Sequence, residues 1–337
     1  MQRSPLLLVL AWAAVSAYAA GTLDIHFVDV ESGQATLIVT PAGESLLVDA
    51  GWPGFGGRDS ARIARAAEQA GIRRIDYLLT THYHLDHVGG VPEIAARIPV
   101  VHFVDHGPNT EAGKQAGQLS EQYRMVTDKA KHLVVRSGDA IPLRGVKVVV
   151  VTARGERIAT PIAGAGAANP LCAAQQPKHE DPSENARSVG FLLTYGKFRF
   201  IDLGDLTWNK ELELVCPSNL IGTVDAYLTS HHGLDMSGPP AIVHALHPRV
   251  AIMNNGARKG GSPSAWRVVR NSPGLEDLWQ LHHALSGARE TNSPPDFVAN
   301  LEEQCQGHGI KLSARDDGSF TVTNERTGYS RSYPRKP

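Results

Sequence analysis

The six residues His-Tyr-His-Leu-Asp-His at positions 82–87 decide the fold of this chain. They follow an apolar segment, residues 75–81, that predicts a buried strand. The stretch contains four candidate metal ligands: His82, His84, Asp86 and His87. Imidazole nitrogen and carboxylate oxygen are ligands that zinc and similar divalent ions accept. In an extended loop, His82 and His84 point the same way and can bind one ion, whereas Asp86 and His87 can reach a second.

Four further segments carry a family resemblance: residues 24–36 with their Gly-Gln turn, residues 46–51, Leu203-Gly204-Asp205, and residues 230–233. With residues 82–87 they resemble the metallo-β-lactamase superfamily, whose signature is His-x-His-x-Asp-His after a strand. The chain is most similar to the branch related to the extracellular hydrolase domain of DNA-uptake competence proteins and to phosphorylcholine esterases. The resemblance implies an α/β fold, an αββα sandwich of two mixed sheets flanked by helices, with the metal site at one edge.

Strand and helix signals alternate along the chain, which also favours layers of sheet and helix. Residues 35–49 and 188–203 read as two hairpins and look like halves of a duplicated sandwich. Amphipathic segments predict helices at 59–70, near 118–130, and at 208–215, 238–246 and 275–285. Residues 153–186 and 255–274 lack apolar periodicity, so we expect long loops that either wall a substrate groove or are disordered.

The N-terminal residues predict a signal peptide at residues 1–19. Arg3 precedes an apolar core, and Ala17-Tyr18-Ala19 gives the small-x-small cleavage pattern. A retained N-terminal anchor is the alternative. The remaining residues, 20–337, are predicted to form a single hydrolase domain that is secreted or periplasmic. No later stretch reaches transmembrane length, so no integral membrane domain is expected.

The charge balance gives no support for a nucleic-acid partner. Removing residues 1–19 takes away one charge, that of Arg3, so the formal net charge changes from −1 to −2. A near-neutral chain has no general basic surface for DNA or anionic membrane, although a local patch would suffice for binding.

The resemblance also assigns roles to residues outside the histidine motif. Asp205 is expected to bridge the two ions, and His231 to complete the second ion's shell. His232 would then face the substrate as a hydrogen-bond donor or as a proton source for the leaving group, and an exchange of these two histidines is the alternative. The third ligand of the first ion stays open between His179, Asn185 and water.

Asp49 ends the predicted second strand, so its carboxylate should emerge at the edge of the site. A carboxylate there can accept the free ring N–H of a ligand histidine and fix its orientation. Capping of the following glycine-rich loop is the alternative role.

The predicted reaction is hydrolysis by a metal-bound hydroxide, because two metals lower the pKa of a bridging water. Asp86 can accept or orient the proton of that water. Two zinc ions fit the nitrogen and oxygen ligands, with manganese and iron as alternatives.

The branch resemblance implies a small-molecule or phosphoester substrate. A basic cluster after the last metal motif also favours a phosphate group: Arg249, Arg258, Lys259 and Arg267. A solvated basic loop is the alternative interpretation of that cluster. The competing functions are hydrolysis of a lactone, β-lactam or other amide or ester, and a non-catalytic metal-binding scaffold.

Three cysteines, Cys172, Cys216 and Cys305, include no Cys-x-x-Cys pair, so a cysteine metal site is not expected. An exported protein can form disulfides, but the sequence leaves the pairing open. We expect buried or incidental thiols.

Overall fold

The computed structural model describes residues 21–336 of the 337-residue chain. The signal peptide predicted at residues 1–19 lies outside the described residues. Within residues 21–336, no helix has both the length and the apolar character needed to cross a membrane.

The first half of the described chain contains nine strands: β1 (Leu23–Phe27), β2 (Thr36–Val39), β3 (Ser45–Val48), β4 (Ile75–Leu79), β5 (Val100–Asp105), β6 (Lys131–Val134), β7 (Ala140–Ile141), β8 (Lys147–Ala153) and β9 (Glu156–Arg157). The second half contains nine more: β10 (Gly190–Tyr195), β11 (Phe198–Asp202), β12 (Ala226–Leu228), β13 (Val250–Met253), β14 (Asp277–His282), β15 (Val298–Asn300), β16 (Ile310–Ala314), β17 (Phe320–Asn324) and β18 (Ser330–Tyr333). The α-helices among the described residues are α1 (Arg58–Gln69), α2 (Leu85–Val88), α3 (Val91–Arg97), α4 (Lys114–Thr127), α5 (Trp208–Val215), α6 (Pro240–Leu246) and α7 (Pro263–Arg270).

Residues 21–336 form two mixed sheets of nine strands each, and both sheets share one plan. The first has the order β18-β17-β16-β1-β2-β3-β4-β5-β6; the second has β15-β14-β13-β12-β11-β10-β8-β7, with β9 paired to β8. In each sheet an antiparallel hairpin, β2–β3 or β10–β11, leads into parallel strands. This repeated plan matches the duplication indicated by the two sequence hairpins. Parallel strands end at a common edge, so their following loops gather there.

Three apolar layers hold the sandwich together. The layer between the sheets includes Phe27, Phe200 and Trp279, each at most 1% exposed. A second layer packs α1, α3 and α4 on the first sheet, with Ile63 and Ile94 at its centre. A third packs α5, α6 and α7 on the second sheet. Burying one large apolar side chain stabilises the fold by about 1.5–3 kcal/mol. The predicted αββα sandwich is confirmed.

Two segments differ from the sequence prediction. Residues 275–285 were expected to be helical, but they contain β14, whose six residues are all buried. The strand lies between parallel neighbours β13 and β15 and is covered on both faces, so it lacks the alternation that marks an exposed strand. Residues 255–274 were expected to be irregular but contain the short helix α7, which begins at Pro263.

The expectation of incidental thiols is wrong for two cysteines, because Cys172 and Cys216 form a disulfide. Cys172 lies in a 3-10 helix at Pro170–Ala174, and Cys216 directly follows α5. The side chain of Asn169 donates hydrogen bonds to the carbonyls of Val215 and Ala241, which brings the two segments together. Within the described residues, Cys305 is the free cysteine.

Candidate metal centre

The candidate ligands lie where strands of both sheets end. β3 ends just before Asp49, and β4 ends at Leu79, three residues before His82. In the second sheet, β11 ends at Asp202, three residues before Asp205. Gly204, with φ of 56°, turns the chain there, and a Cβ on it would approach the Cβ of Thr81 to 3.0 Å. The close approach of the two strand ends therefore needs glycine at this position.

One carboxylate oxygen is the centre of the cluster. Asp205 Oδ2 lies 3.3 Å from Nε2 of His87, 3.4 Å from Nε2 of both His231 and His232, and 4.0 Å from Nε2 of His82. Ligand atoms that each lie about 2.0–2.2 Å from one tetrahedral ion are separated by roughly 3.4 Å. These residues are therefore spaced like the ligands of a common ion.

The cluster divides into two overlapping groups that share His87. His82, His87 and Asp205 form one, and Asp86, His87 and His232 form the other, with ligand atoms within 4.8 Å in each. Asp86 Oδ2 is 3.5 Å from His87 Nε2 and 3.4 Å from His232 Nε2. His87 Nε2 can bind one ion only, so two neighbouring ions would need Asp205, whose carboxylate contacts rings of both groups, as their shared ligand.

His84 belongs to neither of these two ligand groups. Its ring lies beside that of His82, with centroids 4.7 Å apart, but its Nε2 donates to Glu111 Oε1 at 2.9 Å. Glu111 Oε1 also accepts the backbone N–H of Glu184 at 3.2 Å. Glu111 occupies Nε2 of His84, so the predicted ligand role of His84 would fall to its other ring nitrogen, Nδ1.

Of the two side chains considered for the third ligand of the first ion, Asn185 is the better placed. His179 is exposed, and its Nδ1 donates to the carbonyl of Glu180. Asn185 is buried, and its Oδ1 has no hydrogen-bond partner among the described residues. Its neighbour Ser188 places Oγ 3.4 Å from Nδ1 of His82, so the segment borders the site.

His231 and His232 follow β12 and both adopt left-handed backbone conformations, with φ of 52° and 55°. Such conformations cost non-glycine residues energy and concentrate at functional sites. Nε2 of each ring reaches Asp205, whereas His232 also reaches Asp86 and belongs to the second ligand group. The geometry therefore favours the exchanged assignment, with His232 as ligand and His231 at the side of the centre.

A chain of amides holds the ring of His232, and sequence analysis gave these residues no role. Asn254 Nδ2 lies 3.2 Å from His232 Nδ1 and 2.6 Å from Oε1 of Gln34, whose Nε2 lies 3.2 Å from Oδ2 of Asp202. Burial raises the pKa of Asp202 to about 7. Asn254 directly follows β13, so its place at the carboxyl edge of parallel strands was a usable signal.

Asp49 bonds directly to a candidate ligand. His87 Nδ1 donates to Asp49 Oδ2 at 2.7 Å, and Thr81 donates its backbone N–H and hydroxyl to the same carboxylate. With Nδ1 fixed in this way, His87 turns Nε2 and its lone pair into the cluster.

We expect Asp49→Ala to lower metal affinity or activity by about 10–100-fold, the usual cost of losing a carboxylate that orients a ligand histidine. Metal titration and steady-state rates would measure the effect. Asp59→Ala is the matched control, because Asp59 is also buried and near Gly51 but bonds Trp52 and Arg58 instead. Equal effects from the two substitutions would contradict the orienting role.

The charges of the cluster favour cation binding. Burial alone would raise the pKa of Asp86 and Asp205, but neighbouring cationic groups, with His87 and His232 in both cases, hold it well below its usual range. Burial lowers the pKa of His82 well below its ordinary value and keeps the ring neutral. Burial would do the same to His87, but nearby carboxylates raise its pKa well above normal. The two carboxylates and His82 are therefore in the forms that bind metal, whereas an ion at His87 would displace the proton from Nε2.

The predicted basic cluster is dispersed. Arg249 pairs with Glu276, and Arg258 pairs with Glu303, both away from the ligand groups. Lys259 alone among the four has a contact with a candidate ligand, since its ammonium group pairs with Asp86 Oδ2. The site therefore offers one flexible cation, not a clamp of several arginines.

The residues of the cluster fit a metal centre. Their donors are imidazole nitrogens and carboxylate oxygens, and they are spaced as ligands of shared ions would be. Nε2 of His82 is buried and has no hydrogen-bond partner among the described residues, a cost that a bound cation would remove.

Comparison with known proteins agrees with this fold and site. Residues 28–159 match the model of the Metallo-beta-lactamase superfamily, and this segment includes Asp49 and residues 82–87. The match covers less than half of the chain, and it lies in the segment that carries the histidine motif and the first of the two sheet hairpins.

Individual relatives are distant. The chain is 35% identical over 68 residues to a hydroxyacylglutathione hydrolase of Stenotrophomonas maltophilia (strain R551-3), covering 20% of this chain and 23% of that protein. The chain thus spans about a quarter of the curated relative. It is similar to the metallo-beta-lactamase fold protein YhfI from Bacillus subtilis, with 9% identity, TM-score 0.46, and coverage of 77% of this chain and 96% of that one. It is also similar to CmlA, a diiron beta-hydroxylase from Streptomyces venezuelae, with 16% identity, TM-score 0.42, and coverage of 76% and 48%.

Proposed function

We propose that this protein is an exported hydrolase that cleaves phosphoester or phosphodiester bonds at a dinuclear metal centre. The observation that carries the proposal is the convergence of His82, His87, His232, Asp86 and Asp205 on two overlapping ligand groups. Zinc is the preferred ion for this set of nitrogen and oxygen donors, with manganese and iron as alternatives. When bound, two such ions polarise the substrate and activate a water molecule.

The chain's own residues supply positioning and proton transfer. Asp86 can accept a proton from the attacking water, because neighbouring cationic groups hold its pKa low and keep the carboxylate ionised. His231 can donate a proton to the leaving group, since its Nε2 faces Asp205 while its Nδ1 lies 3.3 Å from the Ser237 hydroxyl. Asp49 keeps the ring of His87 oriented.

The position of Lys259 supports the proposal that the substrate is anionic. Its ammonium group lies between Asp86 and the ring of Trp52, 5.6 Å from the ring centroid, with one third of its side chain exposed. An anionic phosphate oxygen can take the place of Asp86 as the partner of Lys259. The resemblance to the phosphorylcholine esterase branch also favours a phosphate substrate, whereas Arg249 and Arg258 are paired with Glu276 and Glu303.

A thioester or other carbonyl substrate is the second candidate. It is favoured by the 68-residue similarity to a hydroxyacylglutathione hydrolase. The same centre could direct water at a planar carbonyl carbon, and Lys259 could bind a carboxylate of such a substrate.

Export is part of the proposal for two reasons. Residues 1–19 have the pattern of a signal peptide. The Cys172–Cys216 disulfide is of a kind that persists in oxidising compartments such as the periplasm. Expression of the whole chain in a bacterium, followed by fractionation and N-terminal sequencing, would test it. A cytoplasmic protein that keeps residues 1–19 would contradict export.

The activity test uses the chain without residues 1–19, loaded with zinc. We expect hydrolysis of bis-p-nitrophenyl phosphate that is lost on chelation and restored by zinc. Parallel assays with a hydroxyacylglutathione thioester, a lactone and nitrocefin test the carbonyl alternative. Faster turnover of any of these would overturn the phosphoester proposal. Failure to bind metal at all would favour a non-catalytic scaffold.

A further inference from the structure

A second cluster of potential ligands lies outside the candidate metal centre. It contains Asp29, Glu31, His282 and Cys305, whose ligand atoms all lie within 4.8 Å of one another. None of the four belongs to the two ligand groups around His87. Asp29 and His282 are essentially fully buried, while Glu31 and Cys305 are partly exposed. The cluster is therefore preformed and accessible from one side.

The distances within this cluster suit four ligands of one ion. Cys305 Sγ is 3.3 Å from Asp29 Oδ2 and from Glu31 Oε1, the two oxygens that Arg62 also contacts, and 3.9 Å from Nε2 of His282. His282 Nε2 is 3.7 Å from Glu31 Oε2 and donates to Asp29 Oδ1 at 2.8 Å. With metal–sulfur bonds of about 2.3 Å and metal–nitrogen or metal–oxygen bonds of about 2.0–2.2 Å, tetrahedral ligand atoms lie roughly 3.3–3.7 Å apart.

Arg62 is the existing counter-ion of this cluster, and its position leaves room for a metal. Its guanidinium group binds Asp29 Oδ2 at 2.8 Å and Glu31 Oε1 at 3.0 Å. The other oxygen of each carboxylate faces His282. Each carboxylate can therefore keep Arg62 on one oxygen and offer the second oxygen to an ion. Arg62 Nη2 also lies 3.8 Å from Cys305 Sγ, so an ion at this site would lie beside the guanidinium group.

The net charge of the cluster is also compatible with the binding of a divalent cation. Two carboxylates and one guanidinium sum to −1 when His282 and the thiol are neutral. A divalent ion that displaces the thiol proton adds +2 and −1, which brings the total to zero. Burial and the two carboxylates raise the pKa of the Cys305 thiol to about 12, so the thiol stays protonated until a cation displaces the proton.

We propose that Asp29, Glu31, His282 and Cys305 bind one divalent transition-metal ion, separate from the centre around His87. The single thiolate favours a borderline or soft ion such as zinc over magnesium or calcium. The proposal does not depend on the hydrolase activity.

The ion would have a structural role, because the cluster adjoins the loop that leads to the candidate metal centre. Glu31 and Ser32 both have positive φ, at 54° and 71°. Two residues further on, Gln34 donates its backbone N–H to the carbonyl of Asp86 and belongs to the amide chain that reaches His232. A metal on Glu31 would hold this strained turn in place.

Cobalt titration tests the proposal on the chain without residues 1–19. The centre around His87 contains no sulfur, and Cys172 and Cys216 are joined to each other. A cobalt–thiolate charge-transfer band in the near ultraviolet would therefore report Cys305 alone. We expect this band to appear on cobalt addition, and Cys305→Ser to remove it while the visible bands of the other centre remain.

Glu31→Gln and Glu303→Gln form a matched pair. Glu31 is a proposed ligand, whereas Glu303 is a nearby exposed carboxylate that pairs with Arg258. Glu31→Gln should weaken the cobalt affinity read from the charge-transfer band by at least about tenfold, and Glu303→Gln should leave it unchanged. The proposal is overturned if saturating cobalt produces no thiolate band, or if the two variants bind cobalt equally well.

Discussion

Asp86→Asn is expected to abolish hydrolysis while the protein still binds metal. Asn keeps the size of Asp and an oxygen that can face an ion, but an amide cannot accept a proton as a carboxylate does. The site normally keeps Asp86 ionised, since His87, His232 and Lys259 surround it and hold its pKa low despite burial. Loss of the proton acceptor should therefore remove turnover more completely than it removes the ions.

Metal content by mass spectrometry and the rate on bis-p-nitrophenyl phosphate would be measured on the same preparations. Asp76→Asn is a suitable control, because Asp76 is a buried carboxylate that bonds Ser45 and Arg74 far along the strand from the site. A fully active Asp86→Asn enzyme would show that another group takes the proton. Loss of metal together with activity would assign Asp86 to binding alone.

Much of this centre could be predicted because its residues follow short, recognisable strand ends. Residues 82–87 come after the apolar strand β4, and Asp205 follows β11. Parallel strands bring such loops to one edge, so local sequence predicts a long-range meeting. The same reasoning applied to β13 would have found Asn254, which follows it immediately.

Other features of the fold and the site depend on long-range contacts that no local sequence pattern predicts. His84 has the spacing of a ligand, but it bonds Glu111, 27 residues away in a loop without clear periodicity. Cys305 lies next to Asp29 because β16, the strand that follows it, pairs with β1 and so brings the preceding loop close to Asp29. Residues 275–285 were read as a helix because a strand buried on both faces resembles a buried helix segment in composition.

The largest unresolved choice in the sequence lay between His231 and His232, and the two substitutions His231→Ala and His232→Ala should separate their roles. We expect His232→Ala to lower the metal content of the purified protein. We expect His231→Ala to retain the metal and to lower turnover. The reason is that His232 Nε2 lies 3.4 Å from both Asp86 Oδ2 and Asp205 Oδ2. His231 Nε2 lies 3.4 Å from Asp205 Oδ2 and has no such contact with Asp86.

The contacts of the two ring nitrogens of His232 also favour His232, and not His231, as the metal ligand. A histidine that binds metal through Nε2 must carry its proton on Nδ1, and that proton needs an acceptor. Asn254 lies against Nδ1 of His232, and its own Oδ1 is buried without a partner among the described residues. Rotation of this amide, with matching rotation of Gln34, would present Oδ1 to the Nδ1 proton of His232. Metal binding by His232 would thus also satisfy an otherwise unpaired buried oxygen.

Each of the two variants is the other's control, because they remove the same side chain from adjacent residues with the same left-handed backbone. Metal content, measured by mass spectrometry after loading with zinc, is the deciding quantity, and the rate on bis-p-nitrophenyl phosphate is read alongside it. Asn254→Ala should lower zinc affinity by about 10–100-fold if the amide accepts the His232 proton. If His231→Ala loses zinc while His232→Ala and Asn254→Ala keep it, His231 is the ligand and His232 the residue that faces the substrate.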